Sequence, residues 1–449
     1  MRVHNPIDPA NKDLLLPDAT VCYGMSAPPA LSEPEAAIVQ ALNEPIQSKP
    51  LSVIAKEKLG KKKDATAVIV ISDNTRPVPY KGKGNILVPI LTTLLETGYK
   101  SRNITVLIAT GTHRPMTAEE IDRIIDPWVF EKGIAVVNHD CKDESILTYL
   151  GKTERGSEVK INNIYVQADL KILTGLVESH FMAGVSGGRK SVCPGLISEH
   201  GTFLFHGADL MGHPDSRDLN LEGNPVHEES LAFAKMAGVD FIVNVTLDHK
   251  FAITGVYAGD LEAAHLAAFE MVKGYAKVPI AEEADIVITH GGFVGINHYQ
   301  SAKAAFASIG ALKKNGYLIS IANFTDKKDI IGSITYKTVL AILSLCGTEA
   351  LIKVLHSKDW PFIPDQWQVQ KWASVFEKIP LDHYYYFAPQ LTKADGPGLP
   401  GINAATLTDS KEYSEVVKTV LDLIKKREGG RPLKIVWLSD GPYSIPYVQ

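Results

Sequence analysis

The chain has 449 residues, too many for one ordinary hydrophobic core, so about two to three domains are expected. It is 45% hydrophobic and 22% charged, the balance of a globular protein. Its net charge of −5 gives no reason to expect nucleic acid as a partner. Cys22, Cys141, Cys193 and Cys346 lie far apart with no C-x-x-C spacing, which supports neither a zinc ribbon nor a thioredoxin-like site. That cysteine usage fits a reducing cytoplasm. The N-terminal residues lack the apolar core of a signal peptide. No apolar run is read as approaching the ~20 residues of a membrane span, so no membrane partner is expected.

Short β-branched runs alternate with amphipathic stretches along the chain. Strands are predicted at Thr66–Ser72, Ile104–Thr110, Ile134–Asn138 and Leu170–Leu176, with a helix over Asn85–Thr97 after the first. A helix at Pro225–Ala237, a strand at Phe241–Thr246 and a helix at Leu261–Tyr275 follow. The C-terminal part opens with a strand at Asp285–Thr289 and a helix at Ser301–Lys314. Strands are then expected at Gly316–Ile321, Leu351–Val354 and Tyr384–Phe387, a helix at Glu412–Lys426, and a strand at Lys434–Leu438. Continuous apolar strands are those of sheets buried on both faces. Alternating β and α argues for α/β layers around mostly parallel sheets. Tyr275 ends a long helix just before a new strand, which suggests an N-terminal α/β domain over 1–275 and a C-terminal α/β domain over 276–449. The active-site cleft is expected between them.

Ligands of α/β sheets bind beyond the carboxyl ends of the strands, and four polar clusters stand there. Thr66–Ser72 runs into Asp73-Asn-Thr-Arg-Pro77. Ile104–Thr110 runs into Gly111-Thr-His-Arg-Pro115. Leu170–Leu176 runs into Val177-Glu-Ser-His180. Asp285–Thr289 runs into His290 and on to Tyr299-Gln-Ser-Ala-Lys303. Taken singly, Asp73 and Thr75 are equally well read as a turn cap before Pro77, His113 as a satisfied loop histidine, and Lys303 as a surface lysine. Their recurrence at equivalent places favours a shared site. Gln300 and Lys303 stand one turn apart at the start of a helix and share a face.

After His180 comes Phe-Met-Ala-Gly-Val-Ser-Gly187-Gly188-Arg189-Lys190, and a further histidine follows at His206. Glycines let the backbone approach a ligand closely. Arg189 and Lys190 are expected to add positive charge beside exposed amides, suiting an anionic cofactor, and a lysine here can bond covalently to one. The loop is not a P-loop, because G-x-x-x-x-G-K-[ST] is absent. His206 sits in apolar company and is read as either a core residue or a metal ligand. An all-protein zinc site has little support, because no H-E-x-x-H occurs.

These residues resemble the nickel-dependent lactate racemase family. The resemblance is carried by Ser72-Asp-Asn-Thr-Arg-Pro77, Ala109-Thr-Gly-Thr-His-Arg-Pro115, His180 with Gly187-Gly-Arg-Lys190, His206, Tyr299-Gln-Ser-Ala-Lys303 and Ile363-Pro-Asp-Gln-Trp367. It implies an isomerase of 2-hydroxy acids with a nickel-pincer nucleotide, a pyridinium-3,5-bisthiocarboxylic acid mononucleotide holding nickel. The resemblance makes Lys190 the covalent attachment point, His206 the protein's nickel ligand, and Gly187 and Gly188 part of the cofactor loop. It makes His113 and His180 the acid–base pair. Arg76 and Lys303 would hold the substrate carboxylate, with Gln300 and Tyr299 nearby and Trp367 as a pocket wall. Asp73 and Thr75 would contact the cofactor.

The chemistry is consistent with those residue types. A racemase needs one acid–base group for each hand of its substrate, and histidine titrates near the working pH. Arg76 can hold a carboxylate through two parallel hydrogen bonds. The motifs address the shared carboxylate and 2-hydroxyl, so lactate and larger 2-hydroxy acids both remain open. The cofactor would be built by other proteins acting in trans, and the oligomeric state is not legible. Two alternatives differ in class: a nicotinamide-dependent hydroxy-acid or uronate dehydrogenase, which should show a clean G-x-G-x-x-G, and a non-catalytic ligand-binding protein.

Overall fold

The structure is a computed structural model that describes residues Met1–Gln449. Its contacts divide the chain into two compact units. One contains Ala27–His206 and Asp215–Gly274; the other contains Met1–Ser26, Gly207–Pro214 and Tyr275–Gln449. The limit at Gly274 lies beside the expected boundary. The first 26 residues and Gly207–Pro214 group with the C-terminal unit, which no local sequence signal announces.

The unit around Ala27–His206 is built on a six-stranded sheet. Its order is Ile253–Gly259, Phe241–Leu247, Leu170–Leu176, Ala67–Ser72, Ile104–Ala109, Ala135–Asn138. All neighbours are parallel except the first pair. Val68, Ile69, Val70 and Ile71 are fully buried on the central strand, as expected for a strand covered on both faces. Burying each such side chain is worth about 1.5–3 kcal/mol. The helices start and stop on local chemistry. Asn224 accepts from the amides of Val226 and His227 to cap Pro225–Ala237, with Pro225 at the first position. Leu87–Thr97 ends on Gly98 in the left-handed region, φ +108°.

The other unit carries a wholly parallel six-stranded sheet: Ile402–Asn403, Tyr384–Phe387, Leu312–Ile321, Ala284–His290, Ile435–Leu438, Val21–Tyr23. One end of the chain thus pairs with a strand from near the other end. The tail after Gly429 supplies Ile435–Leu438 and a short strand, Ile445–Val448, paired with Lys277–Ile280. Apolar clusters cover both faces. One is centred on Leu318, Leu340 and Trp372, the other on Ile319, Val420 and Trp437.

Three expectations are corrected. Leu351–Val354 is not a strand; it closes the helical stretch Ile334–Leu355. The helix expected at Ser301–Lys314 runs over His298–Ala307, and Leu312 already begins the next strand. The stretch Ile334–Leu355 also passes a membrane-span test by length and composition, with a mean hydropathy of 1.8. Gly347, at φ +81°, breaks it into two shorter helices, and Tyr336, Val339, Leu340, Leu343 and Leu351 are buried in the unit's core. The cysteines form no disulfide; Cys22 and Cys346 are exposed, Cys141 and Cys193 buried.

Candidate active site

Three adjacent strands of the first unit, Leu170–Leu176, Ala67–Ser72 and Ile104–Ala109, deliver three of the polar clusters from their carboxyl ends. The Asp73 carboxylate is buried, 4% exposed. Its Oδ2 lies 2.7 Å from Nδ1 of His113, and its Oδ1 accepts from the Thr75 amide at 3.1 Å and hydroxyl at 2.6 Å. Burial alone would raise the Asp73 pKa, but the His113 ring and the Thr75 hydrogen bonds hold it below the ordinary carboxylate value. The His113 ring is itself half exposed. Asp73 and Thr75, expected at a cofactor, are thus bonded to each other, and Asp73 is bonded to His113 as well.

The same two loops are tied together by Glu120. Its carboxylate takes two hydrogen bonds from the Arg114 guanidinium, at 2.7 and 2.6 Å, and one from Asn74 at 3.2 Å. It also closes a capping box with Thr117 at the start of Ala118–Ile124. The Arg114 hydrogen bonds draw the Glu120 pKa down to about 2.

Arg76 Nη1 lies 3.1 Å from Oε1 of Glu178, with only 19% and 15% of the two side chains exposed. Glu178 leaves the end of Leu170–Leu176, two residues before His180. On His180, Nδ1 accepts from the amides of Met182 and Ala183, both at 3.3 Å. His113 is therefore held at Nδ1 by an acceptor and His180 at Nδ1 by donors, so each ring is fixed by the nitrogen nearer its backbone.

The glycine loop packs on the same sheet. Gly187 and Gly188 have φ +75° and +53°. A Cβ on Gly187 would come within 2.7 Å of Val177 Cγ2 and 2.8 Å of Asn244 Oδ1; one on Gly188 would meet the His265 ring at 2.7 Å. Asn244 Oδ1 accepts from the Gly188 amide at 3.1 Å. Lys190 stands in the short turn Gly188–Ser191 and is partly exposed.

Arg189 corrects an expectation. Its guanidinium does not join an exposed positive patch; it is 1% exposed. It donates to the carbonyls of Ala183 at 2.7 Å and Gly187 at 3.3 Å, and lies 2.9 Å from Nε2 of His265. Burial pulls its pKa down to about 9. His206 is also buried, and burial followed by the charge of Lys190 pulls its pKa down to about 3. It is therefore a neutral imidazole at neutral pH, the form that donates to a metal.

The fourth cluster lies in the other unit. Asn297 caps His298–Ala307 through the Gln300 amide, which sets Tyr299, Gln300 and Lys303 on the first turns. Tyr299 Oη accepts from Trp367 Nε1 at 3.0 Å, and Gln368 Nε2 donates to the Tyr299 carbonyl at 2.6 Å. Burial and Asp365 push the Tyr299 pKa well up. The Tyr299 hydroxyl is thus engaged within its own unit. Gln300 Oε1 is buried with no hydrogen-bond partner.

Sequence reasoning missed Glu178, Asn244 and Glu120 as parts of the site. Glu178 alone carried a signal, because it stands inside the Val177-Glu-Ser-His180 cluster. Asn244 is polar in the middle of an otherwise apolar strand, a local conflict of the kind that marks a site.

Residues 10–218 match the family model for the lactate racemase N-terminal domain. A lactate racemase of Lactiplantibacillus plantarum is 33% identical over 416 residues, 92% of this chain and 90% of that protein. One of Thermoanaerobacterium thermosaccharolyticum is 33% identical over 86% of this chain and 85% of its own length. The solved structure of the lactate racemase apoprotein from Thermoanaerobacterium thermosaccharolyticum superposes with a TM-score of 0.81 at 29% identity, covering 99% of this chain and 100% of that one. A Thermotoga maritima protein shares the fold at a TM-score of 0.62 and 16% identity, over 89% and 98% of the two chains. Fold, site and relatives together define an enzyme of the isomerase class. The chain belongs to the lactate racemase family.

Proposed function

We propose that this enzyme racemises or epimerises a 2-hydroxy acid, lactate or a larger one, through a transient 2-keto acid, with a nickel-pincer nucleotide bound at Lys190. The observation that carries the reading is the grouping of His113, Arg76 and His180 after three neighbouring strands, beside the glycine loop that presents Lys190.

The residues fit such a cofactor. His206 offers a neutral imidazole, and the charge of Lys190 reaches it. The chain has no group of three or more His, Cys, Asp or Glu side chains able to hold a metal, so nickel here would take its remaining ligands from an organic group. Soft sulfur donors with one imidazole suit nickel. Gly187 and Gly188 bring bare backbone to the attachment point. When bound, the nucleotide would supply the reversible removal of hydrogen from C2, the difficult part of the chemistry.

The protein's own groups do the rest. Arg76 grips the substrate carboxylate, with Lys303, Gln300, Tyr299 and Trp367 proposed as further substrate-binding residues. Asp73 accepts the Nδ1 proton of His113, which leaves the Nε2 lone pair to take the proton of the 2-hydroxyl. As His113 becomes an imidazolium, the adjacent carboxylate stabilises it. His180 serves the substrate of opposite hand. Asp73 and Thr75 act through His113 in this scheme, in addition to any cofactor contact. A cytoplasmic enzyme loaded by cofactor-making proteins in trans completes the proposal.

Intact mass and nickel content, on protein co-expressed with cofactor-making proteins, test it. A nucleotide adduct with near-stoichiometric nickel is expected, lost in Lys190→Ala; His206→Ala should keep the adduct and lose nickel. A clean apoprotein mass, beside a family member that loads under the same conditions, would move the assignment to a dehydrogenase or a binding protein.

A further inference from the structure

The carboxylate of Glu178 stands against the guanidinium assigned to the substrate. The shortest approach is from a terminal nitrogen, Nη1, at 3.1 Å. A planar guanidinium has five N–H donors along two edges, so this contact orients the group and leaves it able to grip a second carboxylate. The Glu178 backbone is pinned. Its amide donates to Ser186 Oγ at 3.1 Å, its carbonyl accepts from the Ser186 amide at 2.9 Å, and Ser186 Oγ donates to the Leu176 carbonyl at 2.7 Å. The acid is therefore built into the hairpin that carries His180 and the glycine loop. With only 15% of its side chain exposed, it is poorly screened by solvent.

The charges at these strand ends decide what else can be bound. Glu178 follows the strand Leu170–Leu176, and Arg76 follows the neighbouring strand Ala67–Ser72 on the same loop as Asp73, whose carboxylate is taken up by His113 and Thr75. A substrate carboxylate held by Arg76 would already stand beside the Glu178 carboxylate. A second carboxylate on the same substrate, placed on that side of Arg76, would face the charge of Glu178. Like charges juxtaposed in a partly enclosed site disfavour binding, whereas an apolar or hydroxylated substituent meets no such penalty.

We infer that Glu178 is a specificity residue: it orients Arg76 for one carboxylate and excludes 2-hydroxy acids that carry a second. The substrate class is then the 2-hydroxy monocarboxylates. This inference rests on the proposed 2-hydroxy-acid activity, and the test separates the two.

Cofactor-loaded wild type, Glu178→Gln and Glu178→Asp are compared on lactate and malate, by chiral chromatography for turnover and by calorimetry for binding. Wild type should favour lactate in both. Glu178→Gln keeps the shape and removes the charge, and should narrow the lactate-to-malate ratio by roughly tenfold. Glu178→Asp keeps the charge and should keep the preference. Matching thermal melts show that the variants fold. An unchanged ratio in Glu178→Gln, or a wild type that prefers malate, overturns the inference. Loaded enzyme that turns over neither acid overturns the proposed activity on these acids, and the binding ratio alone then decides the role of Glu178.

Discussion

Asp73 and His113 are joined by a 2.7 Å contact between Oδ2 and Nδ1 across a sequence separation of 40 residues. The carboxylate is buried and saturated by Thr75 on its other oxygen, so the ring turns on a fixed pivot. A buried acceptor at Nδ1 selects the tautomer whose Nε2 carries a lone pair.

Asp73→Asn should therefore lower turnover by about 10²–10⁴-fold, while the mass of the cofactor adduct stays unchanged. Kinetics and mass spectrometry on one preparation check both. A nitrogen-15 spectrum of labelled histidine should show His113 losing its single tautomer. Turnover within twofold of wild type would mean the pair is only structural.

Glu120 gives the acid dependence of the same region. Its folded pKa of about 2 lies below the ordinary 4.5. The stability it contributes is therefore present above pH 4.5 and is lost as the pH falls toward 2. Glu120→Gln should cost on the order of 1 kcal/mol at pH 7, after allowance for the half-exposed Arg114. That cost should shrink as the pH is lowered through 4.5. Urea melts of both proteins at about pH 7 and about pH 2.5 measure it; an equal difference at both would rule out the ionic origin.

Gly187→Ala should destabilise the protein by about 1–3 kcal/mol and reduce adduct formation at Lys190, because the added Cβ meets Val177, Asn244 and the Leu176 carbonyl. Gly133→Ala is the control. It also has positive φ, +69°, but its Cβ would find nothing within 4 Å, so it should show backbone strain without loss of adduct. Thermal melts and intact mass distinguish them.

In deuterated water, the substrate's C2 hydrogen should be largely retained through racemisation if it is removed and returned without exchange. Proton NMR of the product reads this directly. Rapid deuterium uptake at C2 would point instead to a carbanion route with the histidines acting on carbon.

Much of this was legible. The strand Leu170–Leu176 has the bounds its apolar run predicts, because a strand buried on both faces writes its own limits. The three strand-end clusters of the first sheet follow from the same pattern. What sequence could not give is pairing at a distance. Arg189 reads as loop charge beside Lys190, yet it is buried on partners that include His265, 76 residues away. Glu120 stands at the start of a helix that the sequence did not announce, and its hold on Asn74 is invisible without the fold. Leu351–Val354 failed for a different reason. Ile352 and Val354 are β-branched, and a short apolar run cannot tell strand from buried helix.

The glycine loop is tied down by the chain's own groups. Arg189 fastens the carbonyls of Ala183 and Gly187 from beneath, Asn244 holds the Gly188 amide from the side, and the Lys190 amide donates to the Gly187 carbonyl at 3.1 Å. These bonds are part of the fold, so fixing this segment's backbone is a cost met by folding. On the proposed reading, a nucleotide joined to Lys190 would sit on a segment whose backbone Arg189 and Asn244 hold in place.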